Sequence, residues 1–159
     1  MQATESLEVG RVAPDFKLRG PGGQPVTLSE FRGKKNVLLV FYPLAFSPVC
    51  SHQLPMIQKE LGRFVALDTE VLGISVDSYY ANDAFALHLG LSFPLLSDFH
   101  RQASTDYGVL IADRLYSDRA LFLVDREGKI AYREVSATLG EIPSTERVFE
   151  ALERQKLPS

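Results

Sequence analysis

An uninterrupted apolar run that stops at a proline places the strongest constraint on how this chain can fold. The run covers residues 37–42, and its length and its content of Val, Leu and Phe predict a strand buried on both faces. Pro43 ends that strand, because proline has no N–H to donate to a neighbouring strand. Ser47 and Pro48 then predict a helix start, since serine is a preferred N-cap and proline is tolerated at the first helical position. Residues 36–53 therefore predict a buried strand followed closely by a helix.

The chain has one cysteine, Cys50, which falls in the first turn of the predicted helix. Unpaired backbone N–H groups and the positive end of the helix dipole favour an anion there, so this position predicts an exposed, reactive thiolate. The other interpretation is a small, buried and inert side chain, which is the usual state of a free cysteine. Four polar neighbours favour the reactive interpretation: Ser47, Ser51, His52 and Gln53.

Length and composition indicate one ordinary domain that spans residues 1–159. With 45% hydrophobic and 23% charged residues, the chain has the composition of a soluble globular protein. A net charge of −3 argues against a nucleic-acid surface, and no apolar run approaches the length of a membrane span. A single cysteine excludes an intrachain disulfide and a zinc site built from cysteines. We expect a cytoplasmic protein, because the N-terminus has no positive region followed by an apolar core.

The turn-rich sequence before the central strand predicts an N-terminal hairpin. Two short extended pieces, residues 15–18 and 25–28, flank a tight connection at residues 21–24. After the central strand, apolar residues at three- and four-residue spacings predict one helix over residues 47–64. Pro55 lies inside that helix and predicts a bend, because it removes a backbone hydrogen bond.

The second half of the chain alternates strands and helices. Residues 71–76 predict another buried strand, and Asn82 predicts the cap of a helix over residues 82–89. Residues 120–124 and 129–134 predict a hairpin, and a last helix follows. This order predicts an α/β domain with a central mixed β-sheet, helices on both faces and the N-terminal hairpin. The outline is compatible with a thioredoxin-like fold, although periodicity alone leaves other open α/β sheets possible.

Other chemical uses of the polar residues have weaker support. A cysteine protease would pair Cys50 with a histidine, but His52 lies on a different face of the same helix. A metal site built from His88, Asp98 and His100 has no supporting signature. Dithiol exchange of the thioredoxin kind needs a second cysteine, which the chain lacks. A lone activated thiolate remains.

A lone thiolate needs a nearby cation, and Arg119 is the best candidate in the sequence. It stands immediately before the apolar run of residues 120–124, which predicts a strand able to pair with the central one. The alternative is that Arg119 is a solvated charge at a strand end, next to Asp118 and Asp125. The residues alone leave these two interpretations equally open.

The pattern Pro43, Ser47 and Cys50 resembles the active-site signature of the peroxiredoxins: proline, three residues, threonine or serine, two residues, cysteine. Four more tracts are similar to motifs of that family and follow its order: APDF at 13–16, FY at 41–42, FPLLSD at 93–98 and RALFLVD at 119–125. With its single cysteine, the chain most resembles the one-cysteine alkyl hydroperoxide reductase E type. The next nearest group is the bacterioferritin-comigratory peroxiredoxins.

The resemblance implies a thioredoxin-like fold and a role for each matching residue. Cys50 would be the peroxidatic nucleophile, and Arg119 the cation that stabilises the thiolate and the bound peroxide. Ser47 would aim its hydroxyl at a peroxide oxygen, in competition with its role as N-cap, and it replaces the commoner threonine of the family. Pro43 would shield the sulfur from water and from excess oxidation, and Gln53 would help hold the arginine.

The implied activity is reduction of hydrogen peroxide and organic hydroperoxides through a sulfenic acid on Cys50, which an external thiol or a redoxin recycles. The resemblance implies no metal, flavin or haem cofactor. It suggests a homodimer, and we expect no nucleic-acid or membrane partner. Another class of function stays open: a peroxide-responsive signalling or holdase protein, in which oxidation of Cys50 changes assembly or the choice of partner.

Overall fold

A computed structural model describes residues 7–156, and a β-sheet forms its centre. The described part contains nine strands: β1 (Lys17–Arg19), β2 (Pro25–Thr27), β3 (Asn36–Phe41), β4 (Thr69–Ser75), β5 (Leu95–Ser97), β6 (Leu110–Ile111), β7 (Tyr116–Ser117), β8 (Ala120–Val124) and β9 (Ile130–Val135). It contains five α-helices: α1 (Pro48–Lys59), α2 (Leu61–Ala66), α3 (Tyr79–Leu89), α4 (Gln102–Asp106) and α5 (Glu146–Lys156). Short 3₁₀ helices cover Pro21–Gly23 and Leu28–Phe31. We used the N-terminal segment to argue against a secretory signal, and most of that segment lies outside the described residues.

Seven of the described strands form one sheet in the order β2-β1-β5-β4-β3-β8-β9. β3 is parallel to β4 and antiparallel to β8, so the prediction of a mixed sheet is confirmed. The two remaining strands, β6 and β7, pair only with each other within the described residues. Each has two residues, which is too short to leave a periodic signal in the sequence.

β3 is buried on both faces, as its apolar run predicts. Its side chains alternate between two cores. Leu38 and Val40 pack with residues of α1, α2, α3 and α5 on one face. Val37, Leu39 and Phe41 pack with residues of α4 and of the N-terminal part on the other face. Helices therefore cover both faces of the sheet. None of the helices in the described residues is long and apolar enough to cross a membrane.

Both predicted hairpins are present, with strand ends that lie within two residues of the predicted ones. In the first, β1 and β2 are antiparallel with Leu18 opposite Val26. In the second, β8 and β9 are joined by a turn that contains Gly128, whose φ of 85° is one that glycine adopts without strain. A Cβ at that position would lie 2.6 Å from Arg32 Nε, so the exposed Arg32 side chain would have to move to accept a larger residue.

The prediction of one helix over residues 47–64 is wrong, because two helices occupy that region. α1 ends at Lys59 and α2 begins at Leu61, with Glu60 between them at φ −95° and ψ 2°. α1 continues through Pro55, so the break lies beyond the proline at which we expected a bend. The apolar spacing could not distinguish one helix from two, since both helices pack on the same core.

The predicted cap of α3 is also wrong. The helix begins at Tyr79 after Ser78, whose side chain accepts a hydrogen bond from the Ala81 N–H at 3.2 Å. Asn82 lies fully buried inside the helix, where its Oδ1 accepts a hydrogen bond from the Tyr42 hydroxyl at 2.6 Å. Serine and asparagine are both good caps, and the burial that separates their roles is not visible in the sequence.

Candidate active site

The loop after β3 delivers Cys50 to the start of α1. Ser47 occupies the N-cap position at φ −73° and ψ 151°, and α1 begins at Pro48, so Cys50 lies in the first helical turn as predicted. The Ser51 N–H donates to the Ser47 carbonyl at 3.0 Å. Earlier N–H groups of a helix have no intrahelical acceptor. They lie next to Cys50, together with the positive end of the helix dipole.

The Cys50 side chain is fully buried, which corrects the expectation of an exposed thiolate. Cys50 shares the buried face of α1 with Gln53, Leu54 and Ile57. This face packs on the core that contains Tyr42. The four positions have the spacing of one helical face, which begins with the cysteine itself. Adjacent residues point to different faces, so the polarity of the sequence neighbours carried no information about this burial.

Arg119 reaches the sulfur from the neighbouring strand. β8 pairs with β3 so that Ala120 lies opposite Phe41, and the residue before β8 is therefore at the edge where the Cys50 loop begins. The Arg119 side chain is 2% exposed, and its Nη1 donates to Cys50 Sγ at 3.1 Å. The interpretation of Arg119 as a solvated strand-end charge is wrong.

Two neutral acceptors hold the guanidinium in addition to the sulfur. Nη1 of Arg119 donates to Gln53 Oε1 at 2.6 Å, and Nε donates to the Leu139 carbonyl at 3.0 Å. No carboxylate of residues 7–156 forms an ion pair with Arg119. A buried positive charge needs a nearby anion. The Cys50 sulfur is the group in contact with the guanidinium that can carry a negative charge.

The Ser47 side chain does not cap α1, although its backbone occupies the N-cap position. Its hydroxyl donates to the Leu44 carbonyl at 2.9 Å, within the turn that precedes the helix. The Ser47 N–H points to the same carbonyl at 3.4 Å, so the turn geometry brings the hydroxyl there. The capping hydrogen bond that the sequence predicted is replaced by this local one.

A surface pocket of about 240 Å³ leads to Arg119. It brings together three of the predicted site residues, Pro43, Ser47 and Arg119, with the apolar side chains of Leu44, Val49 and Leu139. Pro43 is buried and lies in the pocket wall. Cys50 and Gln53 do not line the pocket, but both contact the arginine that does. A small molecule that enters from this side therefore meets an apolar wall and a cation beside the sulfur.

A sequence profile of the AhpC/TSA family matches residues 9–133, which include every residue of the predicted site. The chain belongs to the AhpC/TSA family of peroxiredoxins. Alkyl hydroperoxide reductase E of Mycobacterium tuberculosis is 44% identical over 131 residues, covering 81% of this chain and 86% of the relative. A chloroplastic 2-Cys peroxiredoxin of Spinacia oleracea is 38% identical over 165 residues, covering 96% of this chain and 62% of the relative.

Solved peroxiredoxin structures share the fold described above. The reduced 2-Cys peroxiredoxin of Plasmodium vivax is 35% identical, with a TM-score of 0.84 over 92% of this chain and 81% of that chain. AhpC of Mycobacterium tuberculosis is 27% identical, with a TM-score of 0.85 over 96% of this chain and 94% of that one. The expectation of a thioredoxin-like α/β fold is confirmed.

The activity of this peroxiredoxin is thiol-dependent peroxide reduction. Its substrate is a peroxide, and its reductant is a thiol or a redoxin. The chain contains one cysteine. Because 2-Cys peroxiredoxins are also among the relatives, membership of the family does not by itself assign a one-cysteine cycle.

The candidate site is also supported by residues that the sequence analysis did not identify. Asp77 Oδ2 accepts hydrogen bonds from the Ala45 N–H at 2.8 Å and from the Ser75 hydroxyl at 2.7 Å. The positions of Ser75 and Asp77 in the sequence could have identified them. Ser75 ends the strand that runs parallel to β3, and Asp77 follows that strand. Polar residues at the carboxyl ends of neighbouring parallel strands face the same edge of the sheet. The Leu139 carbonyl, which accepts a hydrogen bond from Arg119, lies in a loop, and no sequence pattern predicts its contribution.

Tyr42 links this polar network to the core around the sulfur. It is fully buried, and its hydroxyl donates to Asn82 Oδ1 at 2.6 Å. Burial raises the pKa of Tyr42 well above its ordinary value. The phenol is therefore neutral at physiological pH and acts as a hydrogen-bond donor.

Proposed function

We propose that the chain is a one-cysteine peroxiredoxin in which Cys50 attacks the peroxide and Arg119 stabilises the charge. The observation that carries this proposal is the 3.1 Å contact between Arg119 Nη1 and Cys50 Sγ in a buried site. The guanidinium favours the thiolate, which is the nucleophilic form of cysteine. The first-turn N–H groups of α1 act in the same direction.

The thiolate attacks the terminal oxygen of the peroxide in line with the O–O bond. This oxygen is transferred to Cys50 as a sulfenic acid, the first and reversible step of thiol oxidation. The other oxygen leaves with the negative charge. Arg119 contacts the sulfur and also lines the pocket, so it can stabilise that charge as it moves from sulfur to oxygen. The positive end of the α1 dipole acts in the same direction.

Three further residues support this step. Ser47 lines the pocket, and we assign its hydroxyl to the bound peroxide once it rotates away from the Leu44 carbonyl. Pro43 forms part of the buried pocket wall and shields the sulfur from water. Gln53 holds the guanidinium in place by accepting a hydrogen bond from Arg119 Nη1.

The pocket suits organic hydroperoxides as well as hydrogen peroxide. Its volume of about 240 Å³ exceeds what a peroxide group alone requires. Leu44, Val49 and Leu139 provide apolar surface for the carbon part of a substrate. The peroxide group would then lie next to Arg119.

We assign the return step to an external thiol or a redoxin, because the chain has no second cysteine to attack the sulfenic acid. We also assign the protein to the cytoplasm, a compartment that keeps a lone thiol reduced. Immunodetection of the protein in separated cell fractions tests this location.

A homodimer completes the proposal. Tyr80 and Phe99 are 72% and 54% exposed, and both line one surface pocket. Exposed apolar surface of this kind is typical of protein interfaces. Sedimentation velocity should therefore show a dimer for the parent protein and a larger monomer fraction for Tyr80→Glu. A monomeric parent protein would contradict this assignment.

The decisive experiment is rapid mixing of the reduced protein with peroxide. Cys50→Ser should not react, and Arg119→Ala should react about a hundredfold or more slowly, as expected for loss of a charged transition-state donor. Arg126→Ala is the matched control, because that arginine is exposed and pairs with Asp68 at 2.8 Å. An Arg119→Ala protein that reacts as fast as the control contradicts the proposal.

Repeated turnover separates the peroxidase from the redox-switch alternative. With an excess of peroxide and a suitable thiol, a peroxidase consumes many equivalents of peroxide per chain. A signalling or holdase protein needs only one oxidation of Cys50. Consumption that stops after one equivalent despite added thiol or redoxin would favour the switch.

A further inference from the structure

Among the contacts of the buried Arg119 within residues 7–156, the sulfur of Cys50 is the one that can carry a negative charge. Its other acceptors, the Leu139 carbonyl and Gln53 Oε1, are neutral. The side chain is 2% exposed, so water screens its charge very little. A buried cation without an anion is strongly unfavourable. The site therefore needs a negative charge at residue 50 after the reaction as well as before it.

Gln53 carries a donor group that the reduced site does not use. Its Oε1 accepts from Arg119 Nη1 at 2.6 Å, which fixes the orientation of the amide. Its Nε2 is buried and has no hydrogen-bond partner. Unpartnered buried donors are unfavourable, so this one points to a partner that arrives during the reaction. Gln53 follows Cys50 by about one helical turn, and the two side chains are neighbours on the buried face of α1.

We propose that oxidised Cys50 is held as the sulfenate anion, with Gln53 Nε2 donating to its oxygen and Arg119 as its counter-ion. This inference rests on the proposed function, because the sulfenate is the product of peroxide attack on Cys50. The sulfenate oxygen is an acceptor that the thiolate does not have. It satisfies the unused amide and keeps the negative charge that the guanidinium requires. Gln53 thus contacts the oxygen that the reaction transfers.

The reaction balances with the peroxide as its only oxidant. For a hydroperoxide ROOH, the sulfur gives an electron pair to the terminal oxygen, the S–O bond forms and the O–O bond breaks. The proton on the transferred oxygen passes to the leaving RO⁻, which gives ROH and Cys50–SO⁻. Sulfur loses two electrons and the peroxide gains them. No proton is exchanged with solvent, whereas a neutral sulfenic acid would take up one proton per thiolate.

The other ionisable groups on the elements around Cys50 do not supply a positive charge to its sulfur. Tyr42 is neutral because burial raises its pKa well above the ordinary value. Asp77 is occupied by a backbone N–H of the preceding loop and by a serine hydroxyl. His52 lies on the exposed side of α1. Asp118 is half-buried before β8, and burial raises the pKa of its carboxyl.

Proton counting tests the proposal in the parent protein. The ultraviolet absorbance of the thiolate first gives the fraction of ionised Cys50, and the reduced protein is then mixed with one equivalent of hydrogen peroxide in weak buffer with a pH indicator. Mass analysis verifies the addition of one oxygen atom. We expect no proton uptake per thiolate oxidised. Uptake of one proton per thiolate means a neutral sulfenic acid and overturns the proposal.

Trapping of the sulfenic acid as a function of pH tests the part of Gln53. A 1,3-dicarbonyl carbon nucleophile attacks the neutral acid and not the anion, so its rate falls as the pH rises through the ionisation of that acid. Gln53→Glu places a carboxylate beside Arg119 and removes the donor, so it favours the neutral acid. We expect the trapping rate at neutral pH to increase about tenfold or more, which is equivalent to a rise of one unit or more in the pKa of the sulfenic acid. The decline of the trapping rate with pH should move to higher pH.

Two variants serve as controls for that measurement. Gln58→Glu adds the same charge further along α1, where Gln58 bonds Ser92, and its profile should match the parent. Gln53→Leu removes the donor without adding charge and should shift the profile in the same direction by less. A Gln53→Glu profile that coincides with the parent overturns the role of Gln53.

Failure of the peroxidase proposal has a different signature. If peroxide adds no oxygen to Cys50, both the proposed function and the sulfenate inference are wrong. If one oxygen is added with uptake of one proton per thiolate, only the sulfenate inference is wrong.

Discussion

The carboxylate of Asp77 accepts the backbone N–H of Ala45 at 2.8 Å and so ties the loop before Cys50 to the end of β4. The same Oδ2 accepts the Ser75 hydroxyl at 2.7 Å, which holds the carboxylate itself in place. β4 is the parallel neighbour of β3. The loop that carries the site is therefore positioned by an adjacent strand as well as by its own sequence.

Asp77→Ala should slow the reaction with peroxide by about ten- to a hundredfold, because a small displacement of reacting groups has effects of that size. Asp77→Asn retains an acceptor oxygen for the Ala45 N–H and should recover most of the rate. Stopped-flow rate constants and unfolding midpoints are compared for both variants. Equal rates in the parent and in Asp77→Ala, with only a lower unfolding midpoint, would mean that Asp77 is purely structural.

Ser47 should affect the peroxide rate more than the stability. Its hydroxyl bonds the Leu44 carbonyl and not a helix N–H, so Ser47→Ala loses one neutral hydrogen bond, worth about 1 kcal/mol or less at a partly exposed site. Ser47→Thr keeps the hydroxyl and adds a methyl that restricts its rotation, and it should preserve or raise the rate. Denaturant unfolding and peroxide kinetics measure both effects. If Ser47→Ala reacts at the parent rate, the hydroxyl does not act on the substrate.

The order of the longer strands and of most helices was predictable because these elements are amphipathic or continuously apolar over their own length. The run before Pro43 became β3, and both hairpins formed where turn residues separated extended pieces. The division of the first long helix at Glu60 was not predictable, because both halves bury residues in the same core. Sequence periodicity reports which face is buried and not where the axis is interrupted.

The site was predictable where position in the chain determines chemistry. The residues placed Cys50 in the first turn of a helix, and the family resemblance selected Arg119, which lies 3.1 Å from the sulfur. The burial of Cys50 and the contribution of Asp77 depend on tertiary packing. Neither follows from neighbouring residues in the sequence.

Gly73 lies in β4 between two other strands and has no room for a side chain. A Cβ there would lie 2.5 Å from Leu95 Cδ2, so Gly73→Ala should lower the free energy of unfolding by about 1–3 kcal/mol, as overpacked cores do. Gly62→Ala is the matched control, since no atom lies within 4 Å of its Cβ position in α2 and alanine favours helix. Denaturant unfolding compares the two. Equal stability of both variants would contradict the packing argument.

Asp118 should destabilise the folded state at neutral pH. Burial raises the pKa of its carboxyl above 3.8, so the folded state holds the proton more tightly than the unfolded state. Protonation of Asp118 therefore stabilises the folded state relative to the unfolded state at pH values below the ordinary pKa. This stabilisation is lost as the pH rises through the raised pKa of the folded state. Asp118→Asn should therefore gain stability at neutral pH, by less than about 1 kcal/mol because the group is partly solvated, and gain none in acid. Unfolding curves at both pH values check this; an equal gain at both would contradict it.

The oxidised protein should stall until another thiol arrives. Cys50 is the single cysteine of the chain, so no second thiol of the same chain can attack its sulfenic group. A disulfide between two Cys50 residues would require Cα atoms within about 7 Å, but the sulfur is fully buried beside Arg119 at the start of a helix. One equivalent of peroxide without other thiols should therefore give a trappable oxidised species and no covalent dimer in non-reducing mass analysis.

Addition of a low-molecular-weight thiol or a redoxin should restart peroxide consumption. The incoming thiolate forms a mixed disulfide with Cys50, and a second thiol releases the reduced enzyme. The rate of recovery should depend on the concentration of added thiol, because its attack is bimolecular. Rapid and quantitative formation of a Cys50-linked dimer that thiol then recycles would contradict this cycle, since it would require the buried sulfur to leave its contact with Arg119 and reach a second chain during normal turnover.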